Sequence, residues 1–125
     1  MLSDRLNWLS KMVLQELRVQ NTSVDIILLS AKDLARLKKR FGLYKAGTIP
    51  DVLAFPEPSN FPHPERHGKR FLGEVYLNRE LDFERLGFLL IHGILHLLGF
   101  AHEKKNDILR MEKQERMLMR RTTNK

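Results

Sequence analysis

The stretch from residue 83 to residue 98 constrains the fold of this chain more than any other segment. It is almost continuously apolar, contains no proline and is followed by Gly99. An apolar run of this length is too long for an ordinary β-strand, and a glycine directly after it is typical of a helix C-terminus. We therefore predict that 83–98 forms a buried central helix.

The rest of the chain alternates between helical and extended patterns. Apolar residues at helical spacing predict helices at 2–17, 31–40 and 104–120. Short runs rich in β-forming residues predict strands at 24–29, 51–55 and 71–77. The prolines between residues 56 and 64 favour an exposed loop that does not pair in a sheet. A chain of 125 residues fits one domain. We expect a single α+β domain over 1–125, with a small mixed sheet of three to four strands packed against helices.

Composition narrows the possible chemistry. The chain has no cysteine, so disulfides and thiolate ligands are excluded, and any transition metal must be bound by imidazole or carboxylate. A formal net charge of +7 favours a polyanionic partner such as nucleic acid. Charged residues interrupt the apolar N-terminus, as Asp4, Arg5, Lys11 and Glu16. The sequence therefore predicts no signal peptide, no membrane partner and residence in the cytoplasm.

Three histidines with fixed spacing close the apolar segment. His92 and His96 are one helical turn apart, so both imidazoles lie on one face and can reach a single ion. Gly99 permits the chain to fold back, which brings His102 within reach as a third ligand. Three neutral imidazoles leave a fourth tetrahedral position for water, as in catalytic zinc sites. The spacing predicts one zinc ion per chain at the end of the central helix.

Residues 92–102, which read HGILHLLGFAH, resemble two families. The spacing is similar to that of the metzincin peptidases, but those carry a glutamate general base where this chain has Gly93, which disfavours peptidase activity. The sequence of this segment resembles the HGxLHLLGYDH signature of the YbeY family more closely than it resembles the metzincin motif. PDVLAFP at 50–56 and LGEVYLN at 72–78 also resemble the TDVLSFP and LGDI strands of that family. The resemblance covers roughly 24–120.

The resemblance to YbeY proteins implies a zinc-dependent endoribonuclease of single-stranded RNA, with roles in rRNA maturation and ribosome biogenesis and with rRNA and the ribosome as partners. Family members commonly have an extra strand before the first helix, so we expect a sheet one strand smaller here. The family's arginine before the TDVLSFP strand has no clear counterpart, and Arg40 or Lys45 is expected to replace its catalytic role. Departures at Ala101 and around Lys45 keep open a non-catalytic, ribosome-associated RNA-binding protein with a structural zinc. A peptidase is the third alternative.

Acidic and basic residues are the remaining candidates for a general base, for a group that orients a ligand histidine and for contacts with RNA. With Gly93 in place of glutamate, a general base must come from elsewhere, and Glu74 is preferred over Glu103. Glu115 falls on the apolar stripe of the last predicted helix, where it would either orient a ligand histidine or pair with an arginine. Two basic clusters are present, and the one between residues 32 and 45 is preferred over the one on the last predicted helix, where acidic residues weaken the net field. The preferred cluster also contains Lys32 and Arg36, and its predicted RNA contacts are Lys38, Lys39, Arg40 and Lys45.

Overall fold

The computed structural model describes residues 1–19, 21–57, 65–66, 69–99 and 105–123. It contains helices and strands in the order α1 (Leu2–Glu16), β1 (Thr22–Leu29), α2 (Ala31–Arg40), β2 (Val52–Pro56), β3 (Glu65–Arg66), β4 (Lys69–Asn78), α3 (Phe83–Leu97) and α4 (Lys105–Thr123). Every predicted helix and strand is confirmed to within a few residues. The prediction of an unpaired loop at 56–64 is wrong at Pro56, which ends β2, and its remainder from residue 58 lies outside the described residues. The short strand β3 directly after that stretch was not foreseen.

The sheet is mixed, as expected for an α+β domain. Its order is β1-β4-β2, with β1 parallel and β2 antiparallel to β4, while β3 pairs antiparallel with the beginning of β4. Side chains alternate between the two faces, so partners in register share a face. Ile26, Val75 and Ala54 occupy one row across the three main strands, facing the main core. Tyr76 and Leu53 belong to the opposite face.

Helix α3 lies in the main core, as its apolar sequence requires. Asp82 caps its N-terminus by accepting a hydrogen bond from the backbone N–H of Arg85. The helix contacts β2 and β4 on one side and α1 and α4 on the other. Its fully buried residues are Leu86, Leu90, Ile91, Ile94 and Leu95. The prediction of a buried central helix is confirmed.

Helix α2 covers the other face of the sheet, where Leu29, Leu37 and Tyr76 line a common cavity. Ser30 caps it by accepting from the N–H of Asp33. The sheet therefore separates α2 from α1, α3 and α4, so each candidate residue can be assigned to one side. None of the helices in the described ranges combines the length and apolar character needed to cross a membrane.

Candidate metal centre

Two histidines of α3 face each other near the C-terminal end of the helix. The Nε2 atoms of His92 and His96 are 3.1 Å apart, and the ring centroids are separated by 4.7 Å. Both side chains are half-buried and line a cavity next to β2. The i, i+4 spacing has therefore brought two imidazole nitrogens to one point, as the sequence predicted.

Glu115 of α4 fixes the orientation of His92. Its Oε2 lies 3.0 Å from His92 Nδ1, and the Glu115 residue is only 3% exposed. An ionised carboxylate can only accept, so in this hydrogen bond Nδ1–H of His92 is the donor and Glu115 Oε2 is the acceptor. In the neutral ring, Nε2 then has a lone pair that points toward His96. Of the two explanations open for Glu115, the contact with a histidine is the one present in the fold.

Gly93 sets the distance between α3 and the sheet at this point. A Cβ placed at this position would lie 2.9 Å from Cγ1 and 3.2 Å from Cγ2 of Val75, which is fully buried in β4. These distances are shorter than ordinary van der Waals contacts, so a larger residue at 93 requires the helix or the strand to move. The position that carries glutamate in metzincin peptidases is therefore occupied here by backbone packed against the sheet.

The cavity beside the two histidines has a volume of about 470 Å³. Its other walls are largely apolar and come from β2 and the preceding loop. The lining residues are Leu43, Val52, Leu53, Ala54, Pro56, His92, Gly93 and His96. An apolar wall lowers the local dielectric and strengthens electrostatic interactions made by groups inside the cavity. Among the described residues that line this cavity, the polar side chains are thus the two imidazoles.

The donor set fits a borderline-soft transition metal. Two imidazole nitrogens converge, and a buried carboxylate holds one ring in the tautomer that a ligand histidine needs. Imidazole suits Zn²⁺ far better than it suits Mg²⁺ or Ca²⁺. Within the part of the chain that the structure describes, no third histidine, aspartate or glutamate joins the pair as a ligand cluster. The predicted third ligand, His102, lies outside the described residues, as does Glu103.

Glu74 lies on the opposite side of the sheet from the histidines. It precedes Val75, which packs under Gly93, and alternation along β4 directs it to the other face. There its Oε2 accepts a hydrogen bond of 3.2 Å from the hydroxyl of Tyr76. Burial raises the pKa of Tyr76, and the nearby Glu74 charge raises it further. The structure does not bring Glu74 to the histidine pair, and its carboxylate contacts Tyr76 instead.

The predicted RNA-binding cations occupy different environments. Lys38 Nζ lies 3.5 Å from Asp51 Oδ1, and only 18% of the lysine side chain is exposed. Lys39 is exposed, with Nζ 4.9 Å from the ring centroid of Tyr44. Arg40 is also exposed, although it borders the cavity under α2. Asp51 also pairs with Arg85 Nη2 at 3.6 Å, which ties α2, β2 and α3 together, a role that the local sequence pattern did not indicate.

Lys45 is exposed in the loop between α2 and β2, and Leu43 of the same loop lines the histidine cavity. Of the two cations expected to replace the family's arginine, Lys45 therefore belongs to the loop that borders the site. Arg40 instead lines the cavity on the α2 side of the sheet, together with Tyr76.

Fold and site together define a class: a small α+β domain with a carboxylate-oriented histidine pair on its central helix. Comparison with known proteins gives the family. The model of the family described as Endoribonuclease YbeY matches residues 2–123, and the chain belongs to this family.

Individual relatives agree with this assignment. The chain is 27% identical to an Endoribonuclease YbeY of Lachnoclostridium phytofermentans, with 80% of this chain and 74% of the relative covered. It is 29% identical to a protein of the same name from Thermodesulfovibrio yellowstonii, with coverage of 85% and 72%. A third, from Pelagibacter ubique, is 31% identical, with coverage of 77% and 67%. The family resemblance read from the histidine segment is confirmed.

Proposed function

We propose that this protein is a zinc-dependent endoribonuclease that cuts single-stranded RNA during rRNA maturation and ribosome biogenesis in the cytoplasm. One zinc ion per chain is bound by His92, His96 and His102. The observation that carries the proposal is the convergence of the His92 and His96 Nε2 atoms at 3.1 Å, beside an open cavity in a chain of the YbeY family. The names of the relatives supply the reaction class.

The residues of the site would prepare the ligands before substrate arrives. Glu115 accepts a hydrogen bond from Nδ1–H of His92 and so keeps Nε2 available as a ligand. A bound zinc ion would supply a Lewis acid for a phosphoryl oxygen and lower the pKa of a coordinated water. Leu43, Val52 and Ala54 would limit the access of bulk water, which strengthens the electrostatic contribution of the site.

Basic residues near the loop between α2 and β2 would bind the RNA backbone. Lys39 and Lys45 are exposed and close in sequence to Leu43, which lines the histidine cavity. Arg40 is exposed at the same helix end and would contribute a further phosphate contact. Lys38 already neutralises Asp51, so we expect it to contribute less to RNA binding than its neighbours.

Single-stranded RNA fits the site better than a duplex. A metal in a cleft must approach one phosphodiester in line with the bond that breaks. Stacked A-form RNA holds its backbone in a regular helix, whereas unstacked nucleotides can turn a single phosphate into a cleft. A cavity of about 470 Å³ is of the size that accommodates a small group such as part of a nucleotide.

The proposal is tested with His102→Ala, using His67→Ala as the matched control because the sequence gives His67 no ligand spacing. Four quantities are measured on one preparation of each protein: zinc content, thermal unfolding, RNA affinity and cleavage of a single-stranded RNA. We expect His102→Ala to stay folded, to bind RNA nearly as the parent does and to lose cleavage, because phosphate contacts come from basic residues and not from metal ligands.

Other outcomes identify the alternatives. Loss of folding together with RNA binding in His102→Ala would mean that the zinc is structural. A parent protein that binds RNA and never cuts it would make the chain a ribosome-associated binding protein. Chelator-sensitive cleavage of casein in the absence of RNA cleavage would make it a peptidase. A folded His102→Ala that cuts RNA at the parental rate would refute catalysis by this zinc site.

A further inference from the structure

A second cavity lies at the junction between the end of α1 and the start of β1. Its volume is about 650 Å³, within the range of small-ligand sites. One side is formed by Lys11, Leu14 and Gln15, which share one face of α1 at i, i+3 and i+4 spacing, and by Arg18, which follows just beyond the end of the helix. The lining residues are Lys11, Leu14, Gln15, Arg18, Val19, Asn21 and Thr22. The sequence patterns assigned none of these residues to a site.

The charge of this cavity is positive. Lys11 and Arg18 are exposed at its rim, and none of the described residues that line it is acidic. Neither cation forms a salt bridge with any carboxylate in the described ranges. Arg70, which is also exposed, occupies the register position beside Thr22 in the parallel pair of β1 and β4. Cations without acidic partners around a concave surface attract an anion.

Neutral polar groups complete the set of donors. Gln15 and Asn21 line the cavity with side-chain amides, which can donate to phosphate oxygens. Thr22 also lines it, and its Oγ1 is enclosed without a hydrogen-bond partner among the described residues. An enclosed hydroxyl that lacks a partner is costly in a folded protein. A ligand oxygen would give this hydroxyl its acceptor once the groups that enclose it move aside.

The backbone around the cavity adopts a demanding conformation. Arg18 and Asn21 have φ angles of 58° and 53°, in the left-handed region that non-glycine residues seldom adopt. Asparagine tolerates this region, whereas arginine does so at a conformational cost. Such residues concentrate at binding sites because the surrounding structure must hold them in place. Here they turn the chain sharply between α1 and β1 and so form one wall of the cavity.

We propose that this α1–β1 cavity binds a phosphate group of the RNA backbone, as a second contact away from the cleavage site. The inference rests on the proposed function. Thr22 pairs with Arg70 at the beginning of β4, and Pro56, which lines the histidine cavity, pairs with Gly73 of the same strand segment. The two cavities thus lie at opposite edges of the sheet, whose outer strands β1 and β2 are two strand spacings, or about 10 Å, apart across β4.

The test compares three zinc-loaded full-length variants with the parent. Lys11→Ala combined with Arg18→Ala removes the cationic rim, and Thr22→Val removes the hydroxyl without changing the shape of the side chain. Arg79→Ala is the matched control, because Arg79 is an exposed cation at the opposite end of β4. The affinity for a labelled single-stranded RNA 12-mer is measured by fluorescence anisotropy at several salt concentrations. ADP serves as a probe for binding of a free nucleotide, and its affinity for each protein is measured separately by NMR titration.

We expect the double variant to bind RNA at least tenfold more weakly and to lose about 0.7 from the slope of log K against log salt, the contribution of one phosphate on a single strand. Thr22→Val should weaken binding roughly tenfold, since a hydrogen bond to a charged oxygen is lost. Arg79→Ala should leave both quantities unchanged.

The two proposals can fail separately. If the parent binds and cuts RNA while the double variant and Thr22→Val keep the parental slope and affinity, the cavity proposal is overturned and the proposed function stands. The RNA assignment is also overturned if the double variant loses affinity for ADP alone, because the cavity would then bind a free nucleotide. A parent protein without affinity for RNA removes both proposals.

Discussion

Replacing Gly93 by alanine tests whether the close approach of α3 to β4 positions the histidines. The new methyl group would meet both γ-carbons of Val75, at 2.9 and 3.2 Å. Val75 is 0% exposed and lies in the central strand, between Ile26 of β1 and Ala54 of β2. To relieve this steric overlap, either Val75 must rotate within a packed core or the helix must move away from the sheet.

The expected magnitude combines two opposing effects. Adding a methyl group to a packed core costs about 1–3 kcal/mol, while alanine in place of glycine stabilises a helix by about 1 kcal/mol. Gly93→Ala should thus lower the free energy of unfolding by about 1 kcal/mol. Gly87→Ala is the control on the same helix, because its Cβ would meet only the flexible end of Leu9, at 3.2 Å. It should be neutral or stabilising by up to about 1 kcal/mol.

Urea unfolding measures both variants, with the slope m checked for constancy. Val75→Ala in the Gly93→Ala background should recover at least about 1 kcal/mol relative to the sum of the single changes, because the two side chains compete for one space. The zinc affinity of Gly93→Ala should also fall, since the helix that carries the histidines moves. A Gly93→Ala protein as stable as Gly87→Ala would refute the reasoning.

Two further predictions follow from the buried contacts. Glu115→Ala should lower zinc affinity by about 10- to 100-fold, measured by chelator competition. Glu112→Ala, at an exposed position of α4, is the control and should leave zinc affinity unchanged. Equal zinc affinities of the two variants would contradict the orienting role of Glu115. The pKa of Tyr76 is raised in the folded protein, whereas in the unfolded chain it has the ordinary tyrosine value of about 10. The contribution of Tyr76 to stability is therefore complete below pH ~10 and is lost as the pH rises toward the pKa of the folded state. Tyr76→Phe should flatten that alkaline loss in thermal unfolding, and superimposable curves for the two proteins would contradict the assignment.

The helices and main strands were predictable because their signals are local. The apolar run of α3, the Ser30 cap of α2 and the β-forming residues of β1 each fix one element without reference to the rest of the chain. The short β3 has no such signal, because two residues form a strand only where β4 offers them partners. Pro56 is tolerated because β2 is an edge strand in the order β1-β4-β2, where an absent N–H can face away from the sheet.

The candidate site also combines features that a local sequence pattern predicts with features that depend on the tertiary fold. The i, i+4 histidine pair is a local pattern and was predicted, whereas its contact with Glu115 depends on how α4 docks 23 residues later along the chain. The face of the sheet on which Glu74 lies could be predicted from the alternation of residues along β4. Val75 and Leu77 are fully buried toward α3, and strict alternation along β4 puts Glu74 on the other face. The same alternation places Glu74 away from the face that carries the histidines.

The packing at Gly93 gives a structural reason to separate this chain from the peptidases that share its histidine spacing. In those enzymes the residue after the first histidine is a glutamate that acts as general base. Here the same position has room for hydrogen alone, because Val75 fills the space where a side chain would begin. The clearance is set by the contact between α3 and the central strand, in the interior of the domain. A glutamate at 93 would therefore require a different spacing between helix and sheet, so the absence of the peptidase base is a property of the core.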